Sequence, residues 1–182
     1  MITIKSAREI KLMQEASHIL VQARQALFKM IQPGISTEAL DQHADHIIRS
    51  LGGIPSFKDY EGYPKSICTS VNEVVIHGIP SKNVILKNGD IISIDIGVNV
   101  KGYHADSAFT YAVGDISSDV KQLLEVTEKA LYIGIEEAKP GNYVSNIGHA
   151  IETFVKPYGY GIVETFTGHG IGKELHEAPQ VL

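Results

Sequence analysis

With 182 residues, 43% of them hydrophobic and 20% charged, the chain can bury a genuine core and is not intrinsically disordered. A formal charge of −5 with scattered Lys and Arg leaves no basic footprint for direct contact with nucleic acid. Cys68 is the sole cysteine, which excludes an internal disulfide and points to the cytoplasm; charges through residues 1–30 break up any signal-peptide core, and no run nears the roughly 18 apolar residues of a membrane span. The first helix opens at Ser6-Ala7-Arg8-Glu9, a pattern in which serine and glutamate satisfy exposed backbone donors. Ile10, Met13, Ile19, Leu20, Leu27 and Met30 follow at helical spacing until Pro33-Gly34 ends the run. A second helix starts near Ser36 and carries Leu40, Ala44, Ile47, Ile48 and Leu51 before Gly52-Gly53 stops it.

From Ile67 to Thr110 the periodicity changes to β-branched runs broken by turn residues: Val71, Val74-Val75-Ile76, Val84-Ile85-Leu86, and Ile91 to Val100. A third helix is expected from Ser117-Ser118 to Lys139 and a fourth from about Ser145 to Lys156, with strand-like sequence after it. Each half of the chain thus reads as a long helix, a Pro-Gly break, a shorter helix and then strands. The two breaks, Pro33-Gly34 and Pro140-Gly141, lie 107 residues apart. This reads as a weak internal duplication. By that symmetry the second half looks short by some tens of residues.

The segment Ile91 to Ser107 carries the chemistry. Ile92, Ile94, Ile96 and Val98 share one face of a strand, so Asp95 points to the other. Asn99 to Gly102 supplies a hairpin turn. With Val100 and Lys101 at its tip, Asp95 and Asp106 fall directly opposite each other, Cβ atoms roughly 4.5–5.5 Å apart. Two like charges so placed in an apolar surround either share a proton or hold a cation. Oxygen ligands suit divalent ions, and a pair of such ions is a known hydrolytic device. The competing reading is an offset register with Asp106 a solvated strand-end residue.

Of eight histidines, His18, His43, His46 and His149 fall within expected helices and receive no role. His104 shares a strand face with Asp106 and could support it. His77, His169 and His176 stand beside glycine or acidic residues outside the helices. The glycines flanking His169 allow close backbone approach, which suits a crowded site.

Taken together, Gly62-Tyr-Pro-Lys-Ser-Ile-Cys68, Ser70-Val-Asn-Glu-Val-Val-Ile-His77-Gly-Ile-Pro80, Gly89 to Asp95, Gly102 to Asp106, and Gly168-His169-Gly170-Ile171-Gly172 with His176-Glu177 resemble the type I methionine aminopeptidases, in family order and over essentially the whole chain. The resemblance implies an α+β pita-bread (creatinase/aminopeptidase) fold, a curved antiparallel sheet with two pseudo-symmetric helix pairs, here as a single catalytic domain (1–182) missing its C-terminal strands. It implies that Asp95, Asp106 and His169 bind two divalent metal ions of the Co, Mn, Fe, Zn or Ni class, with Asp106 bridging. Hydrolysis would then use a bridging hydroxide, with His77 and His176 contacting substrate around the scissile bond. Tyr60, Tyr63 and Cys68 fall where the family lines its methionine pocket, and Leu175 stands where many members carry an aromatic residue.

The implied substrates are peptides and nascent chains with N-terminal methionine, met in transient proximity to the ribosome. No nucleic acid or membrane is engaged directly, and the complete enzyme would be a monomer. One departure bears on activity: the family completes its site with two glutamates beyond the Gly-His-Gly segment, which this chain does not reach, and Glu177 is no substitute. Two alternatives follow: an inactive pita-bread protein that binds peptides or partners, and a related Xaa-Pro peptidase. The compact N-terminus disfavours the latter.

Overall fold

Local signals place the helices. Helix α1 (Ala7–Phe28) starts at Ser6, whose Oγ accepts from Glu9 N while the Glu9 carboxylate accepts from Ser6 N. Helix α2 (Thr37–Ser50) starts at Ser36, whose Oγ accepts from Ala39 N. Helix α3 (Ser118–Glu137) starts at Ser117 in the same way, and α4 (Val144–Val155) runs on into a short 3-10 turn at Lys156–Tyr158. All four match the expected helices to within a few residues. The computed structural model describes residues 2–182.

The strands are β1 (Ile54–Pro55), β2 (Ile67–Val71), β3 (Ile91–Val100), β4 (Tyr103–Ala112), β5 (Gly168–Gly170) and β6 (Glu177–Val181). Among them β3 is central: β4 lies along one edge, and β1 and β2 pair with different stretches of the other, all antiparallel. β5 and β6 form a separate antiparallel pair. Two expected strand runs are corrected. Val74-Val75-Ile76 is loop with its side chains exposed, and Val84-Ile85-Leu86 makes only an isolated bridge between Ile85 and Ser36. β-propensity expresses fit to a paired, half-buried surface, and these runs follow a turn away from the sheet.

The chain divides into two compact units, one of residues 4–116 with 171–175, the other of residues 117–170 with 176–182 and residues 2–3. In the first, α1 packs on β3 and β4 and α2 on β1 and β2. Ala16, Leu20, Ala23, Leu27, Leu40 and Ile48 meet Ile92, Ile94, Ile96 and Val98 there. Burial of that strand face alternates as expected, which turns Asp95 to the opposite face. In the second unit α3 and α4 pack together around Val126, Ala130 and Val155, with α4 also against β6.

Candidate metal centre

The hairpin closes differently from the expectation, and this correction sets the geometry. Val100 pairs with Tyr103, so Lys101 and Gly102 form the tip rather than Val100 and Lys101. Both tip residues have positive φ, 52° and 84°, the conformation of the two-residue turn whose twist matches that of the strands. Asn99 Oδ1 accepts from Gly102 N at 2.9 Å and stabilises it. Asp106 therefore lies opposite Gly97, and Asp95 opposite Ala108. The two aspartates are diagonal neighbours on one face, still within side-chain reach.

They do meet. Burial, then the negative charge of Asp106 and a hydrogen bond between the two side chains, push the Asp95 carboxyl up to about 8. That direction favours the protonated form of Asp95, one of the two outcomes open to a crowded carboxylate pair. A cation is the other, since metal binding displaces such protons. This donor set thus fits a divalent ion.

Across the other edge of β3, Cys68 is the register partner of Asp95. It forms a buried cluster with Phe57 and Leu175, against which Tyr60, Tyr63 and Ile171 pack. The structure therefore gathers the three residues expected to line a methionine pocket beside the carboxylates, with Leu175 already expected at its wall, and adds Phe57 and Ile171. Desolvation pushes the Cys68 thiol up to about 11, so it is an inert apolar wall rather than a nucleophile. Burial likewise raises the Tyr63 phenol. Its single hydroxyl proton is shared between the carbonyls of Ile67 and Gly78, 3.0 and 3.2 Å away.

His104 stands two residues before Asp106 on the same face. Asn99, oriented by the bond from Gly102 N to its carbonyl oxygen, offers its amide NH2 to His104 Nε2 at 2.8 Å. Nδ1 then carries the proton and donates to Ser56 Oγ at 2.8 Å. Ser56 is an acceptor here, which removes any reading of Ser56, His104 and Asn99 as a nucleophilic triad, because the histidine would have to accept from the serine. The array instead ties the hairpin to the strand that leads into Phe57.

His169 and His176 belong to the second unit, with ring centroids 4.4 Å apart in an edge-on arrangement. His169 Nδ1 faces the Gly170 carbonyl at 2.9 Å. A carbonyl only accepts, so the proton sits on Nδ1 and Nε2 carries the lone pair with which an imidazole ligates metal. The expected crowding is present: a Cβ at Gly170 would stand 2.5 Å from the Ala178 carbonyl oxygen. His77 lies in the loop after β2 at φ 56°. Among the described residues, no group of three or more His, Cys, Asp and Glu side chains already stands in metal-holding geometry. No helix is long and apolar enough to cross a membrane.

Comparison with known proteins agrees with these features. Residues 11–182 match the model of metallopeptidase family M24. The chain is 55% identical to methionine aminopeptidase 1 of Bacillus subtilis over 100% of its own length and 73% of that protein's. Its structure superposes on methionine aminopeptidase from Thermotoga maritima with a TM-score of 0.98 at 38% identity, covering 100% of this chain and 73% of that one. The likeness to an Xaa-Pro dipeptidase from Bacillus anthracis is lower, with a TM-score of 0.87 at 29% identity, covering 98% of this chain and 49% of that one. The expected pita-bread fold is borne out, and the chain belongs to metallopeptidase family M24, among its methionine aminopeptidases.

Proposed function

We propose that this chain carries the metal and substrate residues for hydrolytic removal of N-terminal methionine from peptides. The observation that supports it most is the crowded pair of Asp95 and Asp106, diagonal neighbours on the sheet face that also bears Cys68 and its apolar cluster. Asp95, Asp106 and His169 would hold divalent ions, completed in the family by two further glutamates. Such ions supply Lewis acidity and a lowered pKa for water.

The chain's own residues do the remainder. Phe57, Cys68, Leu175, Tyr60 and Tyr63 would receive the methionine side chain, and an apolar pocket of fixed size discriminates by the volume it admits. Leu175 in place of a ring keeps that wall aliphatic. His77 and His176 would stabilise charge on the scissile carbonyl or hand a proton to the leaving amine.

The test is release of free methionine from a Met-Ala-Ser peptide, with and without Mn2+, set beside an Ala-Pro substrate. Manganese-dependent release that Asp106→Asn abolishes supports the reading. Turnover of the Ala-Pro peptide alone, or release indifferent to metal and to Asp106, overturns it. Manganese and peptide binding without turnover would instead favour a non-catalytic peptide-binding protein.

A further inference from the structure

The loop that carries His77 leaves β2 at Asn72 and returns beside the same strand at Gly78. Its apolar residues Val74, Val75, Ile76 and Ile79 are exposed, so little packing holds it. His77 itself has φ 56°, a left-handed conformation that disfavours a side chain and persists only when its surroundings over-determine it. The residue after it is held by a set of hydrogen bonds. Gly78 N donates to Ser70 Oγ at 3.2 Å. The Gly78 carbonyl accepts from Thr69 N at 2.8 Å and from the Tyr63 hydroxyl at 3.2 Å. Absence of a side chain makes this approach possible, since a Cβ at Gly78 would stand 2.2 Å from the Thr69 carbonyl oxygen.

Two of these partners are side chains held firmly in place. Ser70 is buried within β2, opposite Ser93 of β3. Tyr63 is anchored by its second contact, to the Ile67 carbonyl at the start of the same strand. The start of β2 is itself fixed from α2, where Asp41 Oδ1 accepts from Ser66 N and Ile67 N at 2.8 and 3.1 Å.

We infer that Ser70 and Tyr63 are positioning residues for His77: their hydroxyls clamp the Gly78 backbone from its N–H and C=O sides and hold His77 in its left-handed conformation. This rests on the proposed role of His77 at the scissile bond. It also assigns Tyr63 a task different from lining a pocket, because its ring can serve the pocket while its hydroxyl serves the loop. Phenylalanine at position 63 separates the two.

The experiment is heteronuclear NMR on the labelled 182-residue chain and its Ser70→Ala, Ser70→Thr and Tyr63→Phe variants. It reads amide exchange at Gly78 and the backbone couplings and carbon shifts of His77. Ser70→Ala is expected to speed Gly78 exchange about tenfold, the value of one ordinary hydrogen bond, and to remove the left-handed signature of His77. Ser70→Thr should restore both, and Tyr63→Phe should weaken the signature while leaving the amides of Ile94 and Ile96 unmoved. A merely structural role would shift those core amides together with Gly78. The inference is overturned if His77 keeps its signature in both Ser70→Ala and Tyr63→Phe, or if the core amides move in step with the loop. His77→Ala tests the underlying reading separately: unchanged methionine release in the presence of Mn2+ would sink the role of His77 and leave the clamp intact.

Discussion

The two helix pairs of this chain share an order but not a burial. Pro33-Gly34 follows α1 and Pro140-Gly141 follows α3, and each break leads to a shorter helix. Yet α1 and α2 bury Ala16, Leu20, Ala23, Leu27, Leu40, Ala44 and Ile48 against a four-stranded sheet. The second pair centres on Val126, Ala130 and Val155, and leaves Leu131, Tyr132 and Ile135 of α3 exposed. The difference teaches what the long hairpin contributes. In the first unit one face of β3 is core and the other face holds the carboxylates, so the same packing that stabilises the unit also fixes the chemistry. The second unit has a smaller apolar cluster, and carries His169 on the short strand β5 and His176 just before β6.

The sharpest way to break that comparison is at the hairpin itself. Asp95→Asn removes one carboxylate of the proposed metal site. Calorimetric titration with Mn2+ should register an affinity loss greater than the roughly 100-fold that an outer-shell partner is worth. An unchanged isotherm would place metal elsewhere. On the opposite face, Ile94→Ala should cost about 2–5 kcal/mol of unfolding free energy, since the side chain is 2% exposed within the core. In the second unit Val126→Ala should cost about 1–2 kcal/mol. Native-state hydrogen exchange separates the two, because amides of each unit report their own opening. Equal losses in both units from either variant would mean that they unfold as one.

How much of this was legible without coordinates follows from how local each signal is. Ser6, Ser36 and Ser117 begin helices through bonds to residues three positions on, so a short window of sequence contains the cause. The alternation of Ile92, Ile94, Ile96 and Val98 likewise turned Asp95 to the correct face. The observed register differs from the expected one by one step of the turn, although Asn99 and Gly102 both signal that turn. The cause is Lys101, which accepts a left-handed conformation that lysine seldom adopts. Val74-Val75-Ile76 has strand composition but no edge to pair with. Phe57 and Ile171 have no local signal for the apolar cluster, because they reach Cys68 and Leu175 only through the tertiary fold. The polar array of Ser56, Asn99 and His104 was invisible for the same reason.

The smallest expected effect concerns the helix starts, where the two halves again differ. At α3, Ser117 Oγ accepts from Val120 N at 3.4 Å. At α1, the Glu9 carboxylate accepts from Ser6 N at 2.7 Å, from the Tyr103 hydroxyl at 2.7 Å and from Ser6 Oγ at 2.8 Å. Those bonds, led by the one from Ser6 N, lower its carboxyl from 4.5 to about 2. Tyr103 stands at the start of β4, so this carboxylate joins the first turn of α1 to the hairpin. A carboxyl whose pKa is lower folded than unfolded stabilises the fold above the unfolded value and loses that contribution as it is protonated. The contribution should therefore be complete above pH 4.5 and vanish as pH falls to about 2. Because the group is exposed, salt and solvent keep the effect modest. Melting temperatures of the wild-type chain and Glu9→Gln across that range provide the measurement. Their difference should be constant above pH 4.5 and close steadily below it. A gap that persists undiminished to about pH 2 would mean that Glu9 acts through packing rather than charge, and that the tie between α1 and the hairpin does not depend on its ionised form.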